Sequence, residues 1–154
     1  MKHKKLVLVI SLVMVLGFAG ISPAAKVFND SVPIAFYFFD PCTDECVSVQ
    51  GDVHVLLNIT TNAKSCHVKF HANFQGVDGV GCTNEKYTGM GVANATLNLN
   101  NKAANFSIAA KFKLNAKGAA DNLEIDGKFH ITIDAQGEVK SIFFEPLFPV
   151  ECKG

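Results

Sequence analysis

The feature that most constrains this chain is an alternation of apolar and mostly polar residues in two runs between positions 47 and 75. From Val47 to Ile59 the odd positions are apolar or Gly, and from Cys66 to Phe74 the even positions are apolar. A period of two is that of a β-strand, because successive side chains point to opposite faces of a sheet. The two runs therefore predict an antiparallel hairpin with one buried face and one solvent-facing face.

The register of this hairpin follows from the requirement that both apolar rows face one core. A four-residue loop at 61–64 meets it and places His54 opposite His71 on the polar face. Two imidazoles on adjacent strands are a partial site for a divalent metal, which needs about three or four ligands. The sequence identifies no third ligand, and solvated surface histidines are the alternative interpretation.

The same alternation recurs along the rest of the chain. Odd positions are apolar at 93–99, even positions at 106–114, and odd positions again at 123–133. Asp134–Glu138 predicts a three-residue hairpin loop with Gly137 in the left-handed conformation. Residues 84–91, with two glycines, are predicted to be a loop.

The first and last predicted strands differ from the others because both of their faces are apolar. They are Val32–Phe39 and the strand that contains Ile142–Phe144. We predict that they are covered on both sides or packed against each other. The chain is therefore predicted to be all-β: a single antiparallel meander of about eight strands in a closed or nearly closed β-barrel, with a two-sheet β-sandwich as the alternative. Its inward phenylalanines either fill the interior or line a ligand cavity.

The N-terminal segment has the pattern of a signal peptide. Three lysines precede a charge-free apolar run, Leu6–Gly20, which is shorter than the ~20 residues of a membrane-spanning helix. We predict that residues 1–25 are removed on export, with an uncleaved anchor as the alternative. Residues 26–154 are then one all-β domain of a secreted or extracytoplasmic protein, with no membrane span after cleavage.

Composition argues against a nucleic-acid partner. The chain contains no Arg, and loss of residues 1–25 removes three of the 14 Lys and none of the 14 Asp and Glu, which leaves a formal charge of −3. Contacts to phosphates and bases depend largely on Arg and Lys. A mildly acidic domain of this kind is a poor nucleic-acid binder.

All five cysteines lie in the predicted mature domain, where an oxidising compartment favours disulfides. Cys42 follows the first strand and Cys152 follows the last, so a Cys42–Cys152 bridge forms if those strands are neighbours. Cys66 with Cys82 is the first candidate for a second pair, because both flank the second turn. The sequence leaves open which of Cys46, Cys66 and Cys82 is free.

Acyl-transfer chemistry has no sequence motif here. There is no Gly-x-Ser-x-Gly elbow, and no Ser has a base at a recognisable spacing. Acyl transfer is therefore not predicted, and no catalytic residue is assigned.

Short motifs spread from residue 39 to the C-terminal region form a further pattern. They are Phe39-Asp40-Pro41-Cys42, Gly51-Asp52-Val53-His54-Val55, His71 with Asn73-Phe74-Gln75-Gly76-Val77, Gly79-Val80-Gly81, Tyr87, Phe129-His130-Ile131-Thr132, Gly137-Glu138-Val139 and Glu151-Cys152. Together they resemble a family of small secreted bacterial all-β proteins of unassigned function.

The resemblance carries two implications and one departure. A Pro-Cys after the first strand and a Cys at the end are typical of that family, which implies the Cys42–Cys152 bridge. The positions that match the pattern and are candidate ligand or metal residues are His54, His71, Gln75 and His130. The chain departs from the family at Cys46, Cys66 and Cys82, and the resemblance implies no activity.

These observations predict a non-enzymatic exported protein that binds a small apolar or amphipathic ligand or presents a surface to a cell-envelope partner. The alternative is a metal-binding or acid/base enzyme that uses the polar-face histidines, with a divalent metal as the implied cofactor. A purely structural secreted module is the third hypothesis.

Overall fold

The computed structural model describes residues 24–62, 64–100 and 103–153, so that all but the last two residues of the predicted signal peptide lie outside the described part. The described residues form nine β-strands: β1 Ala24–Asp40, β2 Glu45–Thr61, β3 Cys66–Asn73, β4 Val77–Gly81, β5 Lys86–Met90, β6 Val92–Leu99, β7 Ala104–Ala116, β8 Asn122–Ile133 and β9 Val139–Lys153. Within them no helix is both long and apolar enough to cross a membrane. The all-β prediction is confirmed.

β2 is the strand on which the antiparallel sheet is built. β1 pairs with one edge of β2 along its whole length. On the other edge β3 pairs with residues 54–61 and β4 pairs with residues 47–51. From this branch the sheet continues to β6 on one side and through β5, β7 and β8 to β9 on the other.

The hydrogen-bonded sheet does not close. In the described part of the chain no ladder joins β1 to β9, so the predicted closed barrel is not supported, whereas the sandwich alternative remains compatible with this topology. The two strands meet through side chains instead: the ring centroids of Phe36 and Phe144 are 6.3 Å apart. Those of Phe38 and Phe148 are 6.1 Å apart. The predicted packing of the first strand against the last is therefore found, without a shared ladder.

The outer faces of these two strands are not covered. Tyr37 and Phe39 of β1 are 82% and 61% exposed, and Phe143 of β9 is 55% exposed. The prediction that both strands are buried on two sides is wrong, because none of the residues that the structure describes forms a second layer over their outer faces. Apolar residues here belong to a surface.

The first hairpin has the predicted faces but a different register. Its turn begins one residue later than predicted, because the Asn62 side chain accepts hydrogen bonds from the backbone N–H groups of Lys64 and Ser65. Pairing is thereby shifted by two residues. His54 lies opposite Asn73, and His71 lies opposite Leu56, so the predicted His54–His71 pair is wrong.

β5 occupies a stretch that was predicted to be a loop. Its alternate residues Tyr87 and Gly89 are buried, as in a strand. A Cβ on Gly89 would lie 2.7 Å from the carbonyl oxygens of Phe74 and Val77, so only glycine fits this close backbone approach. The glycine that made the stretch resemble a loop is therefore a packing residue of a strand.

The interior is packed by aromatic rings. Phe74 and Phe112 stack with centroids 4.5 Å apart, and Phe144 lies 5.1 Å from Phe129. Phe70 in turn lies 5.2 Å from Phe129. Of the two alternatives left open by the sequence, this cluster favours a filled interior, which leaves the surface as the place for a binding site.

Candidate functional site

The turn between β1 and β2 is organised by a buried carboxylate. Asp40 is 0% exposed, and its two carboxylate oxygens accept hydrogen bonds from the backbone N–H of Cys42 and the hydroxyl of Thr43, each at 2.8 Å. The backbone N–H of Asp44 donates to the Asp40 carbonyl at 3.0 Å. The sequence Asp-Pro-Cys-Thr-Asp thus forms a fixed turn that holds Cys42 in place.

Cys42 is joined to Cys152 by a disulfide, with Cα atoms 5.9 Å apart and a sequence separation of 110. The predicted bridge is confirmed. It ties the end of β1 to the end of β9, two strands that no ladder holds together. The bridge therefore fixes the seam between the first and last strands.

An apolar groove of about 510 Å³ lies along this seam. Its buried residues include Phe38 and Val150, while Tyr37, Phe39 and Phe148 are 82%, 61% and 54% exposed. The groove is lined by Tyr37, Phe38, Phe39, Pro41, Cys46, Phe148, Pro149 and Val150, so no Asp, Glu or Lys is among its lining residues. We call it the seam groove.

The three cysteines outside the bridge are not arranged as predicted. Cys66 is 1% exposed and belongs to the core, where burial raises the pKa of its thiol. Cys82 is exposed and lies just beyond β4, so the structure does not bring it to Cys66. It lies beside Cys46 instead: the Cys82 N–H donates to the Cys46 carbonyl at 2.9 Å.

The candidate residues from the first hairpin share one region of the outer face. His54 and His71 are diagonal neighbours in the β2–β3 ladder, and the Nδ1 atom of His71 is 2.8 Å from Oδ1 of Asn94 on β6. Gln75 is linked to this region through Asn73, which lies opposite His54 in the ladder. The Oδ1 atom of Asn73 accepts a hydrogen bond from the Gln75 N–H at 3.0 Å. The contacts of His71 are thus to an amide rather than to a second imidazole.

A metal site has one geometric candidate among the described residues. Asp40, Cys42 and Cys152 are the group there with three candidate ligand atoms within 4.8 Å of one another. The two sulfurs are joined in the disulfide, and a metal ligand must be a thiolate. The predicted histidine ligands do not form such a group.

His130 lies on β8 and forms a chain of contacts with neighbouring strands. Its Nε2 atom is 2.5 Å from Oε2 of Glu145, and its Nδ1 atom is 2.9 Å from Oγ of Ser107. An ionised carboxylate only accepts, so Nε2 is the donor to Glu145, and Nδ1 is the nitrogen that would accept from the Ser107 hydroxyl when the ring carries one proton. The ring stacks on Phe143 with centroids 4.8 Å apart. This serine, imidazole and carboxylate have the order of a nucleophile, its base and an orienting acid.

Sequence reasoning identified His130 and missed both of its partners. Ser107 and His130 fall on the outward positions of β7 and β8 and are directly paired. The parity of the two alternating runs placed them on one face, so a signal was available. Glu145 lies on β9 and is a diagonal neighbour of His130 in the β8–β9 ladder. The apolar pattern of β9 did not predict how this strand is aligned with β8.

Comparison with family models, with curated proteins and with solved structures finds no match to this chain. The suggested family therefore stays a prediction.

Proposed function

We propose that this protein is an exported binding protein that holds a small apolar or amphipathic ligand in the seam groove. The observation that carries the proposal is the exposure of Tyr37, Phe39 and Phe148 around one concavity. Exposed aromatic rings are costly in water and are enriched where they become covered by a ligand. A volume of about 510 Å³ falls in the range of small-molecule sites.

The chemistry of the lining selects the ligand class. Aromatic rings, prolines and a valine offer dispersion contacts and few hydrogen bonds, so the bound portion is an acyl chain or an uncharged ring system. The groove is open to solvent on one side, which leaves room for a polar head group. An amphipathic molecule therefore fits better than a multiply charged one.

Titration with the neutral probe N-phenyl-1-naphthylamine tests this proposal, because its fluorescence rises in apolar surroundings. We expect saturable binding. We expect Phe148→Ala to raise the Kd about tenfold, which is a loss of about 1.4 kcal/mol in binding free energy, because the bound probe no longer contacts the Phe148 ring. Phe143→Ala is the matched control: Phe143 is 55% exposed on the same strand, against 54% for Phe148, but lies outside the groove.

The control should bind the probe as the unchanged protein does. Equal weakening by both substitutions, or no saturable binding to the unchanged protein, would contradict the proposal. Circular dichroism of each variant verifies that the sheet is retained.

A second candidate function is hydrolysis of a small ester by Ser107, His130 and Glu145. The observation that favours it is the chain of two short contacts through one imidazole. His130 accepts the Ser107 proton as the hydroxyl attacks the ester carbonyl, and Glu145 stabilises the imidazolium that forms.

Labelling with a fluorophosphonate probe tests this second function. We expect modification of Ser107 that is lost in His130→Ala, because a serine without its base is a poor nucleophile. Ser141→Ala is the control, since Ser141 is an exposed serine of β9 that faces Thr132 rather than a histidine. Peptide mapping that finds no label on Ser107, or label that His130→Ala leaves unchanged, would reject the hydrolase.

A further inference from the structure

Cys46 and Cys82 occupy facing positions at one end of the β2–β4 ladder. The ladder runs from the pair Gly51 and Val77 to the pair Val47 and Gly81. Beyond this last pair, Cys46 is the residue before Val47 and Cys82 is the residue after Gly81. The N–H of Cys82 donates to the Cys46 carbonyl at 2.9 Å, so the antiparallel alignment continues through them. Directly opposed residues have Cβ atoms about 4.5–5.5 Å apart, a range that meets the range of about 3.5–4.5 Å for disulfide-linked Cβ atoms at its lower end.

The two side chains are also accessible. Both cysteines are exposed. The pKa of the Cys46 thiol is raised, first by its hydrogen bond with the Cys82 side chain, in keeping with the facing positions of the two residues. Cys66, the remaining cysteine outside the bridge, is 1% exposed within the core.

We infer that Cys46 and Cys82 form a second disulfide, which fastens β2 to β4 and leaves Cys66 as the single thiol of the oxidised protein. This pairing differs from the sequence-based one because β2 has two partners on the same edge. The hairpin to β3 was visible in the alternation, whereas the ladder to β4 was not. The inference of a Cys46–Cys82 disulfide does not depend on ligand binding in the seam groove.

The oxidation needs a disulfide as its electron acceptor, and oxidised glutathione is a suitable one. One thiolate of the pair attacks a glutathione sulfur, forms a mixed disulfide and releases one glutathione thiolate. The second cysteine attacks the protein sulfur of this mixed disulfide and releases the other glutathione. In total two cysteine thiols lose two electrons and two protons, and one oxidised glutathione becomes two reduced molecules.

The test is a count of thiols in the full chain after equilibration in a buffer of oxidised and reduced glutathione. After acid quenching and denaturation, alkylation should modify one cysteine, and peptide mapping should place it at Cys66. A peptide linked through Cys46 and Cys82 should be found, lighter by about 2 Da than the two reduced peptides. Cys46→Ser should leave two alkylated cysteines, Cys66 and Cys82.

Cys66→Ala is the matched control, because it removes a thiol that the proposed bridge does not use. It should give no alkylated cysteine and should keep the Cys46–Cys82 peptide. Three alkylated cysteines in the unchanged chain, a Cys66–Cys82 peptide, or a covalent dimer through Cys82 would each overturn the inference.

Discussion

Replacing Cys42 and Cys152 together by serine is expected to lower the free energy of unfolding by about 4–5 kcal/mol, the loss that loop entropy predicts for a loop of this length. The bridge has a sequence separation of 110, so it restricts most of the unfolded chain. The folded state adds a second reason. β1 and β9 meet through ring contacts and not through a ladder, so without the bridge only side-chain contacts would hold the seam.

Urea denaturation followed by circular dichroism measures the change, and it should be done with Cys46 and Cys82 already replaced by serine so that one disulfide at most is present. The slope of the transition should rise, because the unfolded chain without its cross-link exposes more surface. Reducing the same background with dithiothreitol should reproduce the serine result. A loss below about 1 kcal/mol, within the range of ordinary substitutions, would show that the seam does not depend on the bridge.

The same variant links stability to the proposed function. Both walls of the seam groove end at the bridged cysteines: Tyr37, Phe39 and Pro41 precede or adjoin Cys42, and Phe148 to Val150 precede Cys152. Without the bridge these walls are free to separate. We therefore expect the double serine variant to lose affinity for N-phenyl-1-naphthylamine even where its sheet is retained.

Much of the fold was predictable because local physics determines it. The alternation from Val47 to Ile59 requires one buried face whatever the partner strand is, and the left-handed conformation predicted for Gly137 is found, with φ of 79°. The register was not determined in this way. It depends on one side chain, Asn62, which sets where the first turn begins, and apolar patterning is satisfied equally well two residues away.

The seam groove was less predictable for a related reason. The apolar outer residues of the first and last strands were visible in the sequence, but apolar patterning cannot distinguish a surface that a second layer covers from one that is exposed. Tyr37 and Phe148 are 111 positions apart in the chain and are brought to one groove by the seam between β1 and β9. Non-local arrangement of this kind follows from topology, which local periodicity does not specify.

Gly51→Ala should destabilise the sheet by several kcal/mol, because Gly51 lies where β2 changes partner from β4 to β3. Its φ is +146°, a conformation that costs a residue with a side chain about 1–3 kcal/mol. A Cβ would also lie 2.1 Å from the carbonyl oxygen of Gly76 and 2.7 Å from Cα of Val77, and overpacking of this kind adds about 1–3 kcal/mol.

Both obstructing atoms belong to the backbone. The Gly76 carbonyl accepts a hydrogen bond from the Asp52 N–H at 3.2 Å, and Val77 is the ladder partner of Gly51 itself. Relief of the clash therefore has to open the β2–β4 ladder, and hydrogen exchange should show the loss of protection first at residues 47–51 and 77–81. Urea denaturation measures the total change.

Gly118→Ala is the matched control for this prediction. Gly118 lies in an exposed turn, and a Cβ there would lie 2.5 Å from a carboxylate oxygen of Glu85. This oxygen is the end of a flexible side chain, so it can move aside. Its effect should stay within about 0.5 kcal/mol, as for ordinary surface substitutions. If the two substitutions lower the free energy of unfolding equally, close backbone approach at Gly51 is not what allows β2 to pair with two strands on one edge. The branch of the sheet must then be held by the ladders alone.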